Sequence, residues 1–259
     1  MSDLKSITTG KASKPPRIVL YSIEGMGKSS FGASALNPIF IQTEDGLDEI
    51  DVAKFPKATS FEDVMNQLRT LYTEKHDYKT VCIDTLDWLE PLIWGAVSVL
   101  HGKTNIEDIG YGKGYTYALD QWARLLKALD CLRDDKGMAI ILIAHAEVKR
   151  FDSPETEPYE RYQLKLHKTS AAKIVEWADA VLFANYQIFT EKTDVGFNKK
   201  VVRGKGGQNR VMYAEERPAY KAKNRYGLPD ELPFIKGEAW NTLVTAIKES
   251  RTNPKGEIK

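Results

Sequence analysis

The stretch Ser22 to Ser30, SIEGMGKSS, holds the densest chemistry in the chain. Gly25 and Gly27 permit the backbone to curl so that successive N–H groups face phosphate oxygens, with Glu24, Met26 and Ser30 completing the loop. Lys28 can reach the outer phosphates of a polyphosphate as a point charge, and Ser29 can offer its hydroxyl to a phosphate-bound Mg²⁺. The usual pattern opens on glycine; Ser22 stands there instead, and no ligating group is lost. The bland alternative is a strand–turn–helix connection that happens to contain Gly-Lys-Ser.

Three further polar residues end apolar runs. Asp84 closes VCID, where α/β sheets present ligands, and suits a Mg²⁺ held partly through water. Glu44 follows IFIQT and can orient or deprotonate an attacking water. It is equally one member of an acidic loop with Asp45, Asp48 and Glu49. His145 ends MAIILIA, where it can touch a terminal phosphate or serve as an ordinary capping or core histidine.

These residues need strands that end together. Arg17–Tyr21, Ile39–Gln42, Thr80–Ile83, Met138–Ala144 and Ala180–Ala184 read as buried strands. Helices are expected over Ser29–Leu36, Phe61–Tyr72, Leu86–Leu100, Tyr115–Leu132, Ser170–Trp177 and Ala239–Ile247. Lys199–Arg203, Arg210–Tyr213 and Ala219–Ala222 read as later strands, with Gly204–Gly207 as a hairpin turn. The alternation predicts an α/β fold with a mainly parallel central sheet, flanking helices and antiparallel strands at the C-terminal edge. Residues 1–16 read as a flexible arm whose one apolar anchor is Ile7, residues 17–230 as the core, and residues 231–259 as a helix and polar tail.

Composition sets outer bounds. A chain of 259 residues, 42% hydrophobic, can bury one full α/β core. Net charge is +1, so any nucleic-acid surface must come from local clustering. Cys82 and Cys131 lie in apolar stretches without metal-ligand spacing and read as reduced thiols. No apolar run spans a bilayer and no secretion signal is visible, so a cytoplasmic location and no membrane partner are expected.

In order and spacing the four motifs resemble the RecA-like P-loop core. IFIQTEDGLDE is similar to the segment that carries RecA's catalytic glutamate, which implies that role for Glu44. His145 falls where RecA-like proteins place a γ-phosphate sensor. KNRYG, Lys223 to Gly227, resembles the KNRFG motif of the bacterial RadA branch-migration protein, which implies that Lys223 and Arg225 act on a neighbour's nucleotide. DIGYGKGY and KTSAAKIVEWADAVLFA are similar to compact phage ATP-binding proteins of the Sak-type single-strand annealing and recombination group. The resemblance covers about Arg17 to Pro229.

It implies an ATPase using ATP and Mg²⁺ at subunit interfaces, with single-stranded DNA and copies of itself, in a ring or filament, as partners. A single-strand-binding protein is a further implied partner. DNA would lie on two connections. One carries Lys103, Tyr111, Lys113 and Tyr115; the other carries Lys149, Arg150, Arg161, Lys165 and Lys168. Cations suit phosphates, tyrosines suit bases, and Gly110, Gly112 and Gly114 would let the first loop move. On the residues alone both are equally solvated surface loops. The competing functions are a RadA- or DnaB-like ring motor, a small-molecule phosphotransferase, and a nucleotide-gated binding or annealing protein with little turnover.

Overall fold

The computed structural model describes residues 9–10, 13–194 and 200–252. The expectations for Ile7, for the start of the strand at Lys199 and for the tail beyond residue 252 lie outside them.

Burial on both faces organises the centre of the sheet. In β1 (Arg17–Ser22), Val19 and Tyr21 face one hydrophobic core while Ile18 and Leu20 face the other. The same split divides β5 (Ala139–Phe151), with Ile140 and Leu142 on the first side and Ile141 and Ile143 on the second. A strand apolar on both faces needs cover on both, which is what the intervening helices supply. The first core is closed by α2 (Phe61–Thr73), α3 (Leu86–Leu100), α4 (Lys113–Lys136) and α5 (Lys168–Trp177). The second is closed by α1 (Lys28–Ala33) and α6 (Ala239–Thr252), whose Trp240 meets Phe31 edge-on at 5.7 Å.

The other strands are β2 (Pro38–Gln42), β3 (Ala53–Lys54), β4 (Thr80–Asp84), β6 (Tyr159–Leu164), β7 (Ala180–Asp194), β8 (Lys200–Tyr213), β9 (Lys223–Asn224) and β10 (Glu231–Pro233). The sheet order is β10-β8-β7-β1-β5-β4-β2-β3. From β7 to β3 neighbours run parallel, whereas β8 and β10 add antiparallel edge strands. The glycine-loop strand β1 is thus separated from the Asp84 strand β4 by one intervening strand, β5. This is the α/β arrangement, with a mainly parallel sheet and antiparallel edge strands, that the motif order implies.

Several local expectations change. The charged stretch after Ala144 is no loop: β5 continues to Phe151 and pairs antiparallel with β6, so Lys149, Arg150 and Arg161 lie on a β-hairpin. Its alternation of charged and apolar residues suits a two-stranded arm, a pattern masked by Pro154 and Pro158. Lys113 and Tyr115 begin α4 rather than sit in a mobile connection. Gly114 is there for close packing, since a Cβ would stand 2.4 Å from the Ile106 carbonyl oxygen. Gly204 and Gly206 pair with Thr190 and Ile188 inside the β7–β8 ladder, so they make no turn. Ala219–Ala222 forms only isolated bridges through Tyr220.

Candidate functional site

The glycine loop leaves β1 and re-enters helix at Lys28. Gly27 has φ 101°, in the left-handed region that glycine adopts without strain. Its carbonyl accepts from the Phe31 N–H at 3.0 Å, while Met26 and Phe31 anchor the loop in the second core. Ser22 is fully buried and its hydroxyl donates to the Ile23 carbonyl at 2.8 Å. Lys28 is buried, with Nζ donating to the same carbonyl at 3.2 Å. Burial lowers the Lys28 pKa, opposed by the charges of Asp84, Glu44, Asp87 and Glu24. Ser29 Oγ donates to Asp84 Oδ2 at 2.6 Å.

Parallel register brings the acids to this loop. Ser22 is level with His145, Asp84 with Ile143, and Gln42 with Asp84. Thr43 then ties β2 to β4. Its N–H donates to the Asp84 carbonyl at 2.8 Å, and its hydroxyl donates to the Thr85 carbonyl at 2.7 Å and accepts from the Thr85 N–H at 2.9 Å. Glu44 follows directly, half-buried. Burial raises its pKa, the charges of Asp84 and Asp87 add to this, and His145 and Lys28 oppose it. In the rest of the acidic loop, Lys57 pairs with Asp45 and Lys54 with Asp48.

His145 faces Asp87, in the first turn of α3. The Asp87 carboxylate accepts from the His145 N–H and from Nδ1, both at 2.9 Å. Burial works to raise the Asp87 pKa, but these bonds and the imidazole charge outweigh it and hold it low. An ionised Asp87 requires the proton on Nδ1 and leaves Nε2 for another partner.

The oxygens present suit Mg²⁺. Buried Asp84 Oδ1 has no hydrogen-bond partner, and the Ser29 hydroxyl sits against the other oxygen of the same carboxylate. Among the described residues no cluster of three or more His, Cys, Asp or Glu could hold a metal. That fits an ion held by one or two protein oxygens together with substrate phosphates. Mg²⁺ there would neutralise charge developing on the transferred phosphoryl group.

A family model described as AAA domain matches residues 14–226. The chain belongs to the AAA domain family. It is accordingly a nucleotide-binding P-loop ATPase domain. No curated protein matches it. Among solved structures it is similar to the RadB recombinase crystal structure, with 12% identity, a TM-score of 0.46, and coverage of 86% of this chain and 90% of that one.

This AAA domain has room for a nucleoside beside its phosphate loop. A cavity of about 1000 Å³ lies between the β7–β8 ladder and the β10–α6 connection, walled by Tyr186, Gln187, Arg210, Phe234 and Ile235. Arg210 Nη1 donates to the Met26 carbonyl at 3.0 Å, fastening the cavity wall to the glycine loop, and the Arg210 guanidinium lies 5.6 Å from the Tyr186 ring centre. The acids lie on the β5 side of the loop and the cavity on the β7 side.

Lys223 and Arg225 lie elsewhere. Lys223 Nζ donates to the Val175 and Glu176 carbonyls at 2.6 and 2.7 Å, and Arg225 Nη2 donates to Glu176 at 3.1 Å, so both close the C-terminus of α5. β9 pairs with the start of β7 at Ala180 and Val181, whereas the phosphate loop follows the end of β1, level with Ala184. Three residues of strand, roughly 10 Å, separate Val181, opposite Lys223, from that level. A nucleotide on the chain's own phosphate loop would lie away from both side chains.

The DNA candidates divide by exposure. Tyr111 is fully exposed, and Lys103, Lys113, Lys165 and Lys168 are exposed. Tyr115 instead stacks on His167 at 4.3 Å, which joins the two candidate stretches to each other. Arg161 departs most from expectation: it is buried, lies 3.7 Å over the Phe151 ring and donates to Glu216 at 3.0 Å, because the β5–β6 arm folds back on the 214–222 segment. Lys149 donates to the Leu166 carbonyl and pairs with Glu147.

Sequence reasoning missed Thr43, Asp87 and Arg210. Asp87 carries a faint signal, an acid in the first helical turn after a strand that already ends in Asp84. Arg210, distant in sequence, carries none.

Proposed function

We propose that this ATPase domain assembles with copies of itself on single-stranded DNA and couples ATP binding to its grip on the strand. One observation carries the reading. β5 runs unbroken from Ala139 through His145 to Phe151, so the residue beside the reacting end of the nucleotide and the cations Lys149 and Arg150 belong to one strand. ATP would be held by Lys28 and Ser29, with its nucleoside against Arg210 and Phe234. Glu44 would draw the proton from the attacking water, and His145, set by Asp87, would contact the terminal phosphate. Lys223 and Arg225, out of reach of their own nucleotide, would complete a neighbour's site. Arginine supplied in trans makes turnover depend on assembly. The grouping with Sak-type phage annealing proteins, and a role in recombination, belong to this proposal and rest on the sequence resemblance.

The test is ATP hydrolysis with and without single-stranded DNA, beside a Lys28→Ala control. Stimulation by DNA that the control abolishes supports the proposal. Hydrolysis indifferent to DNA refutes the coupling and leaves an ATPase acting on another partner.

A further inference from the structure

A second cavity, of about 440 Å³, lies on the α5 side of the sheet between the β5–β6 arm, α5 and the segment entering β9. Five cations line it: Lys149, Arg161, Lys168, Lys221 and Lys223. Glu176 is the only carboxylate on its wall. Glu216, outside the wall, holds both Arg161 and Lys221, and Glu147 pairs with Lys149. Counting these two leaves five cations against three carboxylates, so positive charge is in excess. The floor is apolar, with Leu164, Leu166 and Val175. Arg161 is also under-partnered, since its Nε is buried with no hydrogen-bond acceptor.

A cationic rim over an apolar floor, in a space the size of one nucleotide, matches a ligand with a flat apolar part and an attached phosphate. Lys149 and Lys223 also donate to backbone carbonyls, whereas exposed Lys168 has no acidic partner among the described residues. The excess here remains after every partner named above is counted.

We propose that this cavity binds a nucleotide unit, its base against Leu164, Leu166 and Val175 and its phosphate on Lys168 and Lys221. The unit is either a free nucleoside monophosphate or one residue of a single strand. The second source rests on the function proposed above; the first does not. The site is distinct from the phosphate loop, because Lys223, on its wall, lies at the far end of β7.

The test is calorimetric titration of the full chain with dTMP and, separately, with short oligo(dT), a non-hydrolysable ATP analogue saturating the phosphate loop. Lys168→Glu and Lys221→Ala are compared with the parent, their folding checked by thermal melting. Binding of both ligands by the parent, weakened about tenfold or more in the variants, supports a strand-binding cavity. The slope of log affinity against log salt should then fall by about 0.7 for each lost phosphate contact. Binding of dTMP alone, lost in the variants, supports the cavity as a free-nucleotide site and refutes the DNA partner. Oligo(dT) binding unchanged in the variants overturns the cavity and leaves DNA binding intact elsewhere. No binding of either ligand also overturns it. If the variants do not fold, protection of Lys168 and Lys221 from acetylation by dTMP in the unaltered protein decides: protection supports the site, and equal labelling overturns it.

Discussion

Asp87 takes two hydrogen bonds from His145, one from the backbone N–H and one from Nδ1, each 2.9 Å long. The pair fixes where the half of β5 held between β1 and β4 ends and leaves Nε2 as the free ring nitrogen. Asp87→Asn keeps the shape but removes the charge that holds the proton on Nδ1. We expect kcat to fall on the order of tenfold to a hundredfold with KM for ATP nearly constant. Loss of kcat and KM together would show instead that Asp87 acts by holding up the nucleotide site as a whole.

As the base proposed above, Glu44 should set the acid limb of the pH–rate profile. Burial raises its pKa, and only the ionised form can accept a proton from water. Hydrolysis should therefore rise with pH through a value above that of a free glutamate, and Glu44→Gln should abolish turnover. The linkage sign runs the other way for stability. A carboxylate whose folded pKa is raised favours the fold below its unfolded value, and that contribution is lost as pH rises through the folded value. Glu44→Gln should thus melt at or above the parental temperature at neutral pH. A lower melting temperature would refute the burial argument.

Arg225 and Lys28 should complement each other between subunits. Arg225→Ala and Lys28→Ala are each expected to hydrolyse ATP poorly alone. Mixed on single-stranded DNA they should recover part of the parental rate, because some intact phosphate loops then face an intact arginine. Intact mixed assemblies with no recovery would exclude action in trans.

Asp179 is the charge on which the lower end of the sheet depends. It accepts from the Arg17 backbone N–H, from Arg17 Nη2 and Arg133 Nη2, and from the Tyr226 hydroxyl. Burial works to raise its pKa, but Arg17 and Arg133 outweigh it and hold it low. Its contribution is therefore present above the unfolded carboxylate pKa and lost as pH falls through the lowered folded value. Asp179→Asn removes the carboxylate that Arg17 and Arg133 share, leaving Arg17 with Asp130 and Arg133 with the Pro15 carbonyl, and should cost on the order of 2 kcal/mol in urea unfolding at neutral pH.

Local chemistry was legible in the sequence where one segment carries it entire. The glycine loop is such a segment, and so are the strands through Val19 and Ile141, whose uninterrupted apolar runs mark burial on both faces. The position of Asp84 beside Ser29 follows from parallel register, which motif order implies. What stayed hidden depends on pairing between distant segments. Nothing near Arg161 tells that Glu216 and Phe151 will bury it, and nothing near Gly204 tells that Thr190 will draw it into a ladder. Glycine and proline suggested loops in both places, and long antiparallel pairing prevailed over those local preferences. Tyr115 looked free to stack on a base because His167, which covers it, is remote in sequence.

The unbroken course of β5 also has a mechanical consequence. Its first half is clamped between β1 and β4, while its last residues, from Ala146, leave that sheet and pair only with β6. A coupling between two sites is reciprocal in free energy. If the terminal phosphate shifts this arm, then a load applied to the arm must shift the affinity for the terminal phosphate by the same amount. Tension along a bound strand would act on the domain as a second effector of ATP, delivered as force and not as concentration.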